Sequence, residues 1–217
     1  MILLALVVTA YLLGSIPTSL LLARYGKGID LREWGSGNLG ATNLYRVAGP
    51  VYAVLCMVVD VGKGFVPTRL FPRLDGVELP QLALAYGVAA ILGHVFSVWV
   101  RFRGGKGVAT GGGVYVALAP AAAGLGFVVW VAVVLATRVA SVASLSAATL
   151  LPGLVWLTGH RFDYVFWASL PLVGLVWWTH RANVRRLLAG KELRAARGSG
   201  APPLEPEPDS AGPSNKA

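Results

Sequence analysis

Three short polar segments gather hydrogen-bond donors and cations, and very few carboxylates, inside an otherwise apolar chain of 217 residues. The first, WGSGNLGATNLYR (34–46), interleaves Gly35, Gly37 and Gly40 with Ser36, Asn38, Thr42 and Asn43 and closes on Arg46. Glycine lets backbone N–H groups come close to a bound group, hydroxyls and amides add neutral donors, and a helix starting here presents its partly positive N-terminus. The second is RFRGGKGVATGGG (101–113). Successive N–H groups of Gly104, Gly105 and Gly107 can form an anion-cradling nest, with Lys106 as a point charge and Arg103 as a fork. The third is THRANVRRLLAGKE (179–192), in which a helix puts His180, Asn183 and Leu187 on one face with Arg186 beside them. The chemistry common to all three is retention of phosphate by charge and backbone donors.

What is missing narrows this further. Only Asp30, Glu33 and Glu192 lie near the three segments, whereas Mg²⁺-dependent phosphoryl transfer needs clustered carboxylates. The three histidines lack zinc-ligand spacing, and no Ser–His–Asp set can be assembled. Lys106 is followed by Gly107 rather than Ser or Thr, so the second segment is not a Walker A loop. No metal and no cofactor are expected. Each segment also has a plainer explanation: a glycine-rich connector, close helix packing at Gly111, Gly112 and Gly113, and a snorkelling basic girdle at Arg181, Arg185 and Arg194. His94, seven residues before Arg101, is either a buried structural donor or a group facing the site. Ser141 and Ser144 are further candidates, His160 is not, and Asp60 and Lys63 read as a neutralised i, i+3 pair.

The elements that must position these residues are membrane helices. The chain is 55% hydrophobic and 13% charged, about half the charge of an ordinary soluble domain. The fold expected is all-α and polytopic, with apolar runs near 1–23, 50–70, 80–100, 121–137, 140–158 and 162–179. Residues 1–23 carry no charged side chain and lack the basic start of a signal peptide, so they read as a retained first span, bent near Gly14 and Pro17. Residues 107–120 are left over. Merged with 121–137 they make six spans; as a short separate helix ending at Pro120 they make seven. With seven spans and the N-terminus outside, all of the 19 Lys and Arg except Lys63, Arg69, Arg73 and Arg161 fall on the inner side. Six spans would erase that bias, so about seven are expected, with the C-terminus cytoplasmic. The same distribution explains the net charge of +9 as orientation signal and lipid attraction rather than nucleic-acid binding. Cys56 is the single cysteine, and no internal repeat is evident. Residues 1–192 read as one integral membrane domain. Residues 193–217, basic and then rich in proline and acid, read as a disordered cytoplasmic tail.

GSGNLGATNLYRVAG (35–49), GHVFSVWVRFRGGKGVATGGG (93–113) and HRANVRRLLAGKE (180–192) resemble the three signature motifs of the bacterial acyl-phosphate:glycerol-3-phosphate acyltransferase family, the PlsY type. RVASVASL (138–145) is similar to a serine-containing stretch of that family. Two departures are Ser97, where relatives often carry proline, and Val139, where an aromatic residue is common; neither removes a donor. The resemblance implies a seven-span enzyme with a cytoplasmic active site in the bacterial inner membrane. It implies transfer of an acyl group from a fatty acyl phosphate to the 1-hydroxyl of sn-glycerol 3-phosphate, giving lysophosphatidate and inorganic phosphate. It further implies that Ser36, Arg46 and Lys106 bind glycerol 3-phosphate, with Asn38, Thr42, Asn43, His94 and Arg103 nearby. The glycine loop, His180, Asn183 and Ser144 would position acyl phosphate, with Lys106, His180 and Asn183 the catalytic residues, and Glu192 would support the third motif. Two competitors fit the residues less well: a transporter for phosphorylated metabolites needs donors on both membrane faces, whereas the polar segments lie on one, and alcohol phosphotransfer needs clustered aspartates, which are missing.

Overall fold

The computed structural model describes residues 1–77 and 79–194. Among the described residues the backbone is helical, with no strand. Hydrocarbon offers a peptide group no water to bond, so apolar runs satisfy their own N–H and C=O groups as helices. Helix α1 (Ile2–Ser15) stops before Pro17, and α2 (Thr18–Lys27) resumes after a bend of 42°, as the position of that proline predicts. The short amphipathic α3 (Ala41–Ala48) precedes α4 (Pro50–Leu70), which starts on proline as a first-turn residue. Helix α5 (Gln81–Val95) follows.

The leftover stretch 107–120 forms a separate helix, α6 (Val108–Leu118), and α7 (Pro120–Thr137) restarts on Pro120. Then come α8 (Ala140–Leu157), α9 (Tyr164–Thr179), capped by the Asp163 carboxylate, and α10 (Arg181–Leu188). By length and composition four helical stretches can cross a membrane, and α1 with α2 makes a fifth if counted as one bent span. Helices α6 and α9 are apolar but shorter, with 11 and 16 residues, or about 16 and 24 Å.

Two close crossings bring helix backbones into contact. A Cβ added at Gly14 would overlap the Ala90 carbonyl oxygen, and one at Gly93 would overlap that of Tyr11, so α1 and α5 touch backbone to backbone. Helices α4 and α6 do the same, with Gly64 against the Thr110 carbonyl and Gly113 against that of Val61. Lipid adds no hydrophobic force between helices, so such dispersion contacts must do that work. Val51, Leu55 and Val58 on α4 and Phe127, Val128 and Leu135 on α7 point outward, as residues facing lipid do.

The polar connections meet at one end of this bundle. Arg46 donates to the carbonyl oxygens of Leu193 (3.1 Å) and Arg194 (3.2 Å), Lys106 Nζ to Asn183 Oδ1 (2.5 Å), and Ser141 Oγ to Glu192 Oε1 (2.8 Å). Two apolar helices separate each of these segments from the next along the chain. The predicted tail beyond residue 194 lies outside the described residues.

Candidate active site

The first motif is a loop held open by one side chain. Asn43 is 1% exposed and spends its amide on the loop: Oδ1 accepts from the Ser36 N–H (2.9 Å), and Nδ2 donates to the Trp34 carbonyl (2.9 Å). Gly35 packs so closely on Asn43 that a side chain there would overlap Oδ1, and its φ of 58° lies in the left-handed region. Asn43, expected as a ligand donor, lines the cavity but commits its amide to shaping the loop. Ser36, Asn38, Thr42 and Arg46 line the cavity beside it, together with the first turn of α3.

The second motif requires a correction. Gly104 and Gly105 do not cradle an anion: their N–H groups donate to the carbonyls of Val95 and His94, each at 3.0 Å. The last carbonyls of a helix lack partners within it, and these two glycines supply them for α5. Arg103, expected as a fork, is exposed and does not line the cavity. What remains is Lys106, followed by Gly107 at φ 79°, where the chain turns into α6. Gly107, Val108 and Ala109 line the cavity, so the donors of the first α6 turn border it where the nest was expected. The glycine triplet divides its work: Gly111 and Gly112 line the cavity, while Gly113 packs on α4.

The third motif supplies the electrostatics. Asn183 bridges Lys106 and Glu192, accepting from Nζ and donating to Oε1 (2.5 Å each). Glu192 also receives Ser141 Oγ and pairs through Oε2 with Arg186 Nε (2.8 Å). Burial works against its charge, but hydrogen bonds from Asn183, Ser141 and Arg186 hold its carboxyl below the usual range. Glu192 is thus a support for the motif, already saturated with protein donors. Burial, with Arg186 and Arg46 nearby and Glu192 opposing, pushes Lys106 down to about 8. His180 is 2% exposed, and its Nδ1 lies 2.8 Å from the Val176 carbonyl, which can only accept. Nδ1 therefore carries the proton. Burial and the Lys106 charge bring His180 down to about 4, so near neutral pH the ring is uncharged and Nε2 is an acceptor.

These groups enclose one end of a cavity of about 280 Å³. The polar end holds Ser36, Arg46, Lys106, His180, Asn183 and Glu192. The apolar end runs between α6, α7, α8 and α9 along Tyr115, Ala123, Phe127, Leu151, Leu172 and Val176. From Ser141 to Leu151 it follows α8 for about 15 Å. Ser144 and His94 also line it, Ser144 accepting from Trp130 Nε1 at 3.1 Å. Sequence reasoning missed this apolar shaft, because its residue types match those facing lipid. It also missed Asp60, which borders the cavity. A carboxylate inside an apolar helix was the available signal.

A family model described as glycerol-3-phosphate acyltransferase matches residues 4–190. The chain belongs to the glycerol-3-phosphate acyltransferase family. The glycerol-3-phosphate acyltransferase of Myxococcus xanthus is 44% identical over 190 residues, covering 88% of this chain and 98% of its own. That of Desulforudis audaxviator is 46% identical over 186 residues, covering 85% and 91%. The fold agrees with the crystal structure of PlsY (YgiH), an integral membrane glycerol 3-phosphate acyltransferase, in its glycerol 3-phosphate form. The TM-score is 0.81 at 39% identity, over 88% of this chain and 94% of that one. The lysophosphatidic acid form of PlsY gives 0.79 at 38% identity. This acyltransferase is an integral membrane enzyme of the PlsY type, as the three motifs indicate.

Proposed function

We propose that this acyltransferase moves an acyl group from a fatty acyl phosphate to the 1-hydroxyl of sn-glycerol 3-phosphate, releasing lysophosphatidate and inorganic phosphate. The observation that carries this is the continuity of one cavity from a cationic mouth to an apolar shaft. Such a cavity suits a phosphate head joined to a hydrocarbon tail, with a second phosphate beside it. The relatives' crystal structures, one in a glycerol 3-phosphate form and one in a lysophosphatidic acid form, support the same substrate and product here.

In this reaction Ser36, Arg46, Lys106 and the first turn of α3 hold glycerol 3-phosphate, with Asn38 and Thr42 beside them. The first turn of α6 from Gly107, with His180, Asn183 and Ser144, positions acyl phosphate. The two headgroups repel each other, and each charge-assisted bond from Lys106 or Arg46 offsets that by about 1.5–3 kcal/mol. The acyl phosphate is a mixed anhydride that already carries a good leaving group, so no enzyme nucleophile is needed. The 1-hydroxyl oxygen bonds to the carbonyl carbon, the carbon–oxygen bond to phosphate breaks, and the hydroxyl proton passes to a phosphate oxygen. His180, at about 4, is a weaker base than a phosphate monoester, whose second pKa is about 6. Its Nε2 orients the hydroxyl without taking the proton. Juxtaposition of two bound reactants supplies about 7–11 kcal/mol of the barrier.

The enzyme is read as a seven-span protein of the bacterial cytoplasmic membrane, with its N-terminus outside and the site at the cytoplasmic face. Convergence of the segments that hold most of the cations on one end supports this. The reaction is tested by adding purified protein to palmitoyl phosphate and glycerol 3-phosphate with EDTA present. Lysophosphatidate and inorganic phosphate are expected in equal amounts, at the rate seen without chelator. No product, or acceptance of acyl-CoA instead, overturns the assignment.

A further inference from the structure

Behind the glycine segment lies a buried charged cluster that the transfer steps do not use. Asp60 and Lys63 stand on successive turns of α4, 3% and 7% exposed. Lys63 Nζ donates to Asp60 Oδ1 at 2.6 Å and to the Ile16 carbonyl at 2.5 Å. Ile16 sits in the α1–α2 break that Pro17 creates, and from the far side Ser97 Oγ donates to the Ser15 carbonyl. Asp60 Oδ1 also faces His94 Nδ1 at 3.9 Å, and Cys56 Sγ donates to Oδ2 at 3.4 Å.

His94 connects this cluster to the mouth of the cavity. Its carbonyl accepts the Gly105 N–H, and its ring lies so close to Gly105 that an added Cβ would overlap Nε2. Lys106 is the next residue. An ion pair inside hydrocarbon is costly, and apolar residues of the same volume commonly replace such a pair without loss of stability. The glycine crossings join α4 to α6 and α1 to α5, whereas this cluster ties α4 to the α1–α2 break and faces His94 of α5 beside the cavity mouth. Asp60 borders the reaction cavity, where an unpaired carboxylate would repel both phosphates. Lys63 does not line that cavity; with Asp60 it borders a small second cavity, shared with Ser15, Thr18, His94 and Gly105, and neutralises Asp60 there.

We infer that the Asp60–Lys63 pair is a positioning device: it fixes His94 and the α1–α2 break, and through them sets where Gly105 and Lys106 stand at the cavity mouth. The inference rests on Lys106 holding glycerol 3-phosphate.

The test is the double variant D60N/K63M, which removes both charges together and leaves neither buried alone. Thermal unfolding in detergent and the KM of each substrate are measured. The KM for glycerol 3-phosphate is expected to rise about tenfold or more, while that for acyl phosphate stays within about twofold and the unfolding temperature stays near native. A purely structural pair would only lower the fraction of competent molecules, reducing kcat with both KM values native, and that result overturns the inference. Should the double variant not fold, Asp60→Glu keeps the charge but shifts the carboxylate by one methylene. The same selective KM rise is expected for it, and native KM values overturn the inference. A native enzyme with no acyl-phosphate-dependent turnover overturns the proposed reaction instead, whatever the variants do.

Discussion

Replacing Lys106 by Met is expected to lower kcat/KM for glycerol 3-phosphate by about 100-fold or more, the equivalent of one desolvated charge-assisted contact at the strong end of its range. Lys106 lines the cavity and is oriented by Asn183, itself held by Glu192. Methionine keeps the length and the apolar contacts of the side chain, so the loss isolates the charge. The pH profile gives the sharper readout. Lys106 is held near 8, so it is cationic below that pH and becomes neutral as the pH rises through it. Because kcat/KM reports groups of the free enzyme, it should fall above about pH 8 in the native protein. Lys106→Arg, which stays charged, should lose that alkaline limb even if its absolute rate is low. An alkaline limb near 8 that persists in Lys106→Arg would assign the titration elsewhere.

His180→Ala is expected to lower kcat by about 100-fold, within the span measured for groups that orient or polarise a reacting atom. The sign of its pH effect separates two roles. His180 is held near 4 by burial and by the Lys106 charge, so across pH 5–8 it does not change state. An acid limb of kcat/KM near pH 6, expected from the substrate phosphate, should survive the substitution. Loss of that limb in His180→Ala would make the histidine the base. Steady-state rates between pH 5 and 9, with both substrates varied, measure this directly.

Much of the architecture was legible because single residues carried it. Pro17 marked the α1–α2 bend, and Pro120 marked the boundary that makes α6 separate from α7. Charge distribution pointed to the shared polar face that Arg46, Lys106 and Ser141 now join. The site was legible as residue types and less so as roles. Asn43 looks like a free amide in sequence, but burial turns all its bonds inward. Gly104 and Gly105 look like a nest, yet the end of α5 reaches their N–H groups first. Gly113 and Gly112 are adjacent and identical, and only the crossing with α4 distinguishes packing from lining. Asp60 read as half of an i, i+3 pair, which is correct, but periodicity says nothing of the cavity on its other side. In each case the missing information was a contact distant in sequence.

Both phosphate heads must occupy the mouth together if fixed cations do the work and no acyl group is ever bonded to protein. Initial rates measured over a grid of acyl phosphate and glycerol 3-phosphate concentrations report on this most directly. Double-reciprocal lines that intersect are predicted, with no phosphate released until glycerol 3-phosphate is added. Parallel lines, with a stoichiometric burst of phosphate from acyl phosphate alone, would mean a covalent acyl-enzyme and would contradict the account.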